Sequence, residues 1–416
     1  MSRSSDLYIY ISIAIVFLTL VVVLATYDFD QGNSVCRGGA EKISFDMYDG
    51  GTGHPEPIAT SEGVVDIEWS HFTEYPRGNQ DNAGSMYKDQ LFSTGGFCGG
   101  DQFPYYCEGP KSFYSDTYLY NFSQKKWNRI EDMPGLGRQG HKCELVYGEV
   151  YCMGGFSYTY PYSHTDSYKY NGSWHQIHDL PSNKTAAIQT CTMNGKIYFL
   201  EAASFDLEDF YTGKKLYEYD LSSWKHIATL PGTARWSTDI TCLQNEIYVI
   251  GGVSANERDL DINTDDNSYR TIIDNWKYNV NTRSWTRLSD TPIVIGNWMF
   301  QEYYNGYILL IGGAGYMSVH NSVPVDVPSN LNHPHSELNR NIGGDYMYTN
   351  AVYVYDVSND KFIRSTPLPY DWNGATLWRR GDTIYLNAGE LGTICTDEVF
   401  YGRHPKMTLK GKITIN

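Results

Sequence analysis

A chain of 416 residues with 36 tyrosines and 10 tryptophans has enough apolar and aromatic mass to bury a large core. Its formal charge of -16 argues against sequence-independent binding to nucleic acid, because phosphate contacts need clustered lysine and arginine. Alternating short strands along most of its length exclude a helical bundle and a parallel α/β sheet.

Read from the start, residues 1–7 form a short tail, and Tyr8 to Tyr27 (YIYISIAIVFLTLVVVLATY) carries no charge. At about 1.5 Å per residue, such a run crosses a hydrocarbon core of roughly 30 Å, which predicts one transmembrane helix or signal anchor over residues 8–27. Val23-Leu24-Ala25 offers a cleavage site as the alternative, which would release a secreted protein. Arg3 lies before the run and Asp28 and Asp30 after it. This charge balance places the tail in the cytoplasm and the remainder on the extracellular or lumenal side of a single-pass protein, cellular or of a virion membrane. Residues 28–65 are rich in Gly, Asp, Ser and Pro without a sustained period and read as a stalk or cap.

Residues 66–402 are periodic. An aromatic residue is followed seven positions later by proline at Trp69/Pro76, Trp127/Pro134, Trp174/Pro181, Trp224/Pro231, Trp285/Pro292 and Phe362/Pro369. Between these fall the doublets Gly95-Gly96, Gly154-Gly155, Gly251-Gly252 and Gly312-Gly313, with degenerate versions at Glu201-Ala202 and Ala388-Gly389. A tyrosine-bearing strand precedes each turn: TYLYN, SYKYN, LYEYD, NWKYN and VYVYD. The clearest period, Arg138 to Pro181, reads as four strands with tight turns at Tyr147-Gly148 and Asn171-Gly172.

These three markers in phase resemble the kelch repeat, a blade of about fifty residues in a β-propeller. The resemblance implies an all-β, six-bladed kelch propeller, with the repeated tryptophans in the core. After Ala388-Gly389 the chain offers EVFYG as a third strand but no aromatic-to-proline fourth strand, whereas residues 67–76 supply one without blade-mates. The N-terminal strand with Trp69 is therefore expected to complete the last blade, with the C-terminal tail, residues 403–416, as competitor for that place.

Cysteines and sequons bear on compartment. Cys98 and Cys107 bracket the first loop after a doublet, and Cys143 and Cys152 flank the Tyr147-Gly148 turn, so both pairs are disulfide candidates outside the cell. Cys143, Cys191 and Cys242 share a strand position, where each serves equally well as a small buried hydrophobe. Asn121, Asn171 and Asn183 begin glycosylation tripeptides.

Function on a propeller resides in its connections. The resemblance implies that the segment after each exit proline and the loop after each doublet meet at one mouth of the central channel. That face would carry Arg138, His141, Arg235, Trp236, Asn297, Trp298, Trp372 and Asn373, joined by Tyr158, Tyr160 and Tyr162. Arginines and aromatics converging on a concavity suit a protein or glycan partner. The competing reading is that Arg138 and Arg235 pair with blade backbone.

Two long loops carry residue types that ligate metals. Asp259, Asp261, Asn263, Asp265 and Asp266 alternate as calcium ligands do, but Thr264 and Arg270 occupy the positions of the turn glycine and bidentate glutamate. His320, His333 and His335 lack a carboxylate or thiolate at defined spacing. No other cofactor is implied. The chain has no serine-nucleophile motif, phosphate loop or zinc signature, and it lacks the Tyr-His dipeptide of the copper-radical oxidases that share the propeller. The expectation is a membrane-anchored binding protein. The enzymatic alternative is a sugar epimerase similar to the kelch-type sialic acid mutarotases, with Glu201 as the acid near Arg235.

Overall fold

The computed structural model describes residues 61–98, 112–204, 213–255, 269–291, 300–316, 346–348, 350–369, 372–391, 394–395, 400–401 and 405–416. Their regular structure is entirely β, and it includes six four-stranded antiparallel sheets. In chain order the first strands of these blades are Ala83–Tyr87, Gln139–Val146, Gln189–Met193, Ile240–Leu243, Phe300–Tyr304 and Thr376–Arg380. Each touches the first strands of the blades before and after it, and the sixth touches the first, so the six line a closed central channel. Radial repetition of this kind leaves few open sheet edges.

The tyrosine and tryptophan markers are two halves of one contact. In five blades the last tyrosine of the third strand sits directly across from the aromatic residue of the fourth: Tyr120 and Trp127, Tyr170 and Trp174, Tyr219 and Trp224, Tyr278 and Trp285, Tyr355 and Phe362. Ring centroids are 4.7 to 5.3 Å apart. Cross-strand aromatic pairs of this kind hold strand register as well as burying area.

The last blade closes the ring with both ends of the chain. Its order is Thr376–Arg380, Thr383–Asn387, Met407–Ile415 and then Val65–Glu74. Trp69 is in the fourth strand, as expected. The third strand is the C-terminal segment and not EVFYG: Phe400–Tyr401 instead forms a short hairpin with Ile394–Cys395. The propeller therefore does not end at residue 402, and the segment read as a tail is part of it. The reason is periodic burial, because Met407, Leu409 and Ile413 alternate inward while Lys410 and Lys412 face solvent. Trp69 pairs with Gly411 where other blades have tyrosine; a Cβ there would lie 2.7 Å from the indole.

Two disulfides are defined. Cys143–Cys152 joins the first hairpin of blade 2, and Cys191–Cys242 joins the first strands of blades 3 and 4. Cys191 and Cys242 are thus bridged rather than isolated thiols. Cys98 is also disulfide-bonded, and Cys107 lies outside the described residues. Residues 8–27, read as a membrane segment, lie outside them too; among the described residues no helix is long and apolar enough to cross a membrane.

Candidate functional site

At one end of the channel the doublets act as staples between blades. The amide of the second glycine donates to a carbonyl in the leading segment of the next blade: Gly96 to Arg138 (2.8 Å), Gly155 to Thr185 (2.9 Å), Gly313 to Trp372 (2.7 Å) and Gly389 to Asn79 (2.8 Å). Side chains are excluded by proximity. A Cβ on Gly389 would stand 2.4 Å from the Asn373 carbonyl oxygen, and one on Gly155 2.7 Å from that of Gln139. A second belt links the leading segments themselves, from Asp81 N–H to Gly374, Gly140 N–H to Asp81, and Ile188 N–H to Gly140, at 2.8 to 3.0 Å.

The arginines of this end serve the blades. Arg138 donates to both Asp166 carboxylate oxygens (2.9 and 2.6 Å) and to the Gly154 carbonyl. Arg235 donates to the Asp274 carboxylate (2.7 Å), the Asp274 carbonyl and the Gly251 carbonyl. Arg77 pairs with Asp116 and stacks 3.5 Å over the Tyr114 ring. The three aspartates occupy one position, two residues before Tyr118, Tyr168 and Trp276 of the segments TYLYN, SYKYN and NWKYN, so the Arg–Asp pair is a repeat feature of blades 1, 2 and 4. Burial is the largest influence on Asp166 and Asp274 and pushes both upward, but the arginines and further hydrogen bonds more than offset it, leaving both carboxyls below the usual range.

Blade 3 has Thr185 and Lys215 at those positions, and Glu201 substitutes. Its Oε2 accepts from the backbone N–H groups of Lys214 (3.1 Å) and Lys215 (3.0 Å). The expectation that Arg138 and Arg235 project toward a partner is therefore corrected, as is the pairing of Glu201 with Arg235 as an acid–base couple. Each of these charges is buried and committed within its blade.

His141, Trp236, Trp372 and Asn373 are likewise buried rather than displayed. The Trp372 indole donates to the Ala388 carbonyl (2.6 Å), and Trp236 packs with Phe156, Ala187 and Val253. Tyr158 and Tyr160 are exposed, at 63% and 78%, and Tyr162 is half-buried. Tyr158 stands edge-on to Phe113 (4.9 Å) and Phe97 (5.7 Å), and its hydroxyl hydrogen-bonds with Gln139. Asn297 and Trp298 lie outside the described residues, as do Asp259, Asp261, Asn263, Asp265, Asp266 and the three loop histidines. Among the described residues no group of three or more His, Cys, Asp or Glu is arranged to hold a metal ion. Of the sequons, Asn171 and Asn183 are exposed and Asn121 is half-buried.

What the sequence did not disclose is a polar ring in the neck of the channel. Gln80 Nε2 donates to Asp81 (3.2 Å) and Gln139 (3.3 Å), and Gln189 Nε2 donates to the Arg235 carbonyl (3.0 Å). Five atoms or groups here are buried without a partner among the described residues: Gln80 Oε1, Asp81 Oδ1, Gln189 Oε1, Ser237 Oγ and the two His141 ring nitrogens. Burial, with Glu390 nearby, holds the Asp81 carboxyl well above its usual range; burial, then Arg138 and His164, holds His141 well below its own. The His141 imidazole is therefore neutral at pH 7. The neck thus presents hydrogen-bonding groups from blades 1 to 4. Only the leading segments' spatial convergence could have revealed it.

Deeper in, the first strands enclose a cavity of about 500 Å³. It holds the pairs Lys142–Asp239 (2.9 Å) and Arg379–Glu302 (2.8 Å), and Glu144, which accepts from Thr190 (2.7 Å). Burial chiefly, with Asp239 and Glu302 adding, pushes Glu144 up to about 7.

The fold is that of a six-bladed β-propeller. A family model described as Kelch motif matches residues 237–292, which span blade 4. Of curated proteins, N-acetylneuraminate epimerase 1 of Escherichia coli O6:H1 is 19% identical over 353 residues, 82% of this chain and 81% of its own. The N-acetylneuraminate epimerase of Salmonella typhi is 24% identical over 262 residues, 60% of this chain and 59% of its own. The solved structure of YjhT superposes with a TM-score of 0.57 at 15% identity, covering 80% of this chain and 100% of that one, a likeness of fold.

Proposed function

We propose that this propeller binds a glycan at the neck end of its channel, held on the extracytoplasmic side of a membrane by residues 8–27. The observation that carries the reading is the ring of buried, unpartnered polar atoms in the neck. Each costs about 1 to 3 kcal/mol unless something hydrogen-bonds to it. Amides, a hydroxyl and a carboxyl are suited to sugar hydroxyls or water. The exposed rings of Tyr158 and Tyr160 lie at the rim, where they offer apolar faces to a sugar or to a protein carrying it. In this reading the neck takes the protruding groups of a ligand while the tyrosines hold its body.

The test is a glycan array with the detergent-solubilised full chain, repeated with Tyr158→Ala and Gln80→Ala. Binding that persists unchanged in both variants would rule the neck out. Resistance to carbonate extraction and loss of mass on glycosidase treatment test the anchor and the sequons at Asn121, Asn171 and Asn183.

The enzymatic alternative, a sialic acid epimerase, is favoured by the names of relatives that match over four-fifths of both lengths. The commitment of Glu201 and Arg235 to blade packing weighs against those two residues as its machinery. Saturation-transfer NMR on N-acetylneuraminate reads the exchange directly; acceleration by the full chain would displace the binding reading.

A further inference from the structure

The opposite end of the propeller carries a second concavity, away from the neck. It lies between blade 3 and the turn joining the third and fourth strands of blade 4, with a volume of about 450 Å³. Its cationic lining is Lys196, Lys225 and Arg283, against the single acid Glu218. Lys196 is spent on Glu218 (2.7 Å), which also accepts from the Tyr198 hydroxyl (3.2 Å). Lys225 and Arg283 are exposed and belong to no ion pair among the described residues. The groove is thus locally positive on a chain whose formal charge is -16.

A concavity concentrates the field of the charges that line it, and two unneutralised cations at its rim favour an anion there. The walls add hydrogen-bonding side chains from Asn194 and Asn281 and ring surface from Tyr198 and Tyr278. This volume falls at the small-ligand end of the range for binding pockets. We infer that this groove binds a sulfate or phosphate ester carried on a saccharide-sized polar body. Arg283 supplies the planar fork that pairs with two oxyanion oxygens, Lys225 the second positive charge, and the tyrosine and asparagine side chains contact the body. This inference is independent of the glycan proposed for the neck, because the two sites share no residue.

Isothermal titration of the full chain in detergent, at 0.15 M salt, with glucosamine 6-sulfate, glucose 6-phosphate, inorganic sulfate and a hexaglutamate peptide tests it. At least one sugar ester should bind saturably and more tightly than inorganic sulfate. Arg283→Gln and Lys225→Gln should each weaken it by about tenfold or more, as loss of a charge-assisted hydrogen bond does. Lys126→Gln, an exposed lysine in blade 1, should not. Both groove residues are exposed, so melting temperatures should stay level and a lost signal cannot be blamed on unfolding. Equal affinity for inorganic sulfate, binding of the peptide alone, no saturable binding by either ester, or affinity unchanged in both variants would each overturn the inference.

Discussion

The two ends of the propeller use the same residue types to opposite effect. At the neck end, Arg77, Arg138 and Arg235 are each closed off by an aspartate of their own blade, and the polar groups beside them are buried. At the other end, Lys225 and Arg283 have no such partner among the described residues and stand in a groove. An arginine in a loop is a recognition residue only where the fold leaves it unpaired. At the neck end that closure comes from one aspartate position, filled in blades 1, 2 and 4.

The largest effect should come from breaking a closed pair. Arg235→Ala leaves Asp274 uncompensated and is expected to cost about 3 to 5 kcal/mol in urea denaturation, with Arg138→Ala close behind. Replacing both partners, Arg235→Met with Asp274→Leu, should recover most of that loss. A melting temperature unmoved by Arg235→Ala would mean that the guanidinium is free after all. Trp69→Ala is expected to cost about 2 to 3 kcal/mol, below the roughly 3 to 5 of a fully buried aromatic, because the ring that closes the propeller is half-buried. Glu201→Ala should cost about 1 to 3 kcal/mol by stranding the Lys214 and Lys215 amides. Glu201→Gln, which keeps an acceptor, should cost less; equal losses from the two would deny the capping role.

A smaller effect is set by pH within the channel. Glu144 titrates at about 7 folded and near 4.5 unfolded, so between those values the native state holds the extra proton. Stability from this group is therefore full below about pH 4.5 and declines as pH rises toward 7. Relative to wild type, Glu144→Gln should gain on the order of 1 kcal/mol by pH 8, allowing for screening by channel water, and nothing at pH 4. Denaturation curves at both pH values, showing the same difference at each, would contradict the shift. The smallest expected effect is that of Lys225→Gln, within about 0.5 kcal/mol of wild type in stability, as for other exposed substitutions.

Some of this was readable in one dimension. The aromatic residues and the tyrosine strands report a contact made inside five blades, the doublets a contact made between blades, and a contact made at every repeat leaves a period in the chain. Trp69 was placeable for the same reason, since its blade lacked a fourth strand. The third strand of that blade was misread because Gly411 replaces the marker tyrosine, although the alternation of Met407, Leu409 and Ile413 was there to be seen. The Arg–Asp pairs were also present as a repeat, but their members lie 28 residues or more apart, and nothing local marks them as partners.

The sequence by itself determined that this is a propeller, its number of blades and where its ends meet, because those depend on local hairpins repeated at a fixed interval. Only the tertiary structure decided which polar groups remain available. Whether Arg235 faces a ligand or an aspartate depends on how the strands of its own blade pair, and whether Gln80 and Gln189 share a neck, or Lys225 and Arg283 a groove, depends on how neighbouring blades are rotated around the axis. That rotation is fixed by non-local contacts: the stapling amides of the doublets, the rings between sheets and the bridge from Cys191 to Cys242. Pairing costs or saves free energy only at hydrogen-bond distance, so residues far apart in the chain acquire their chemical roles when the ring closes.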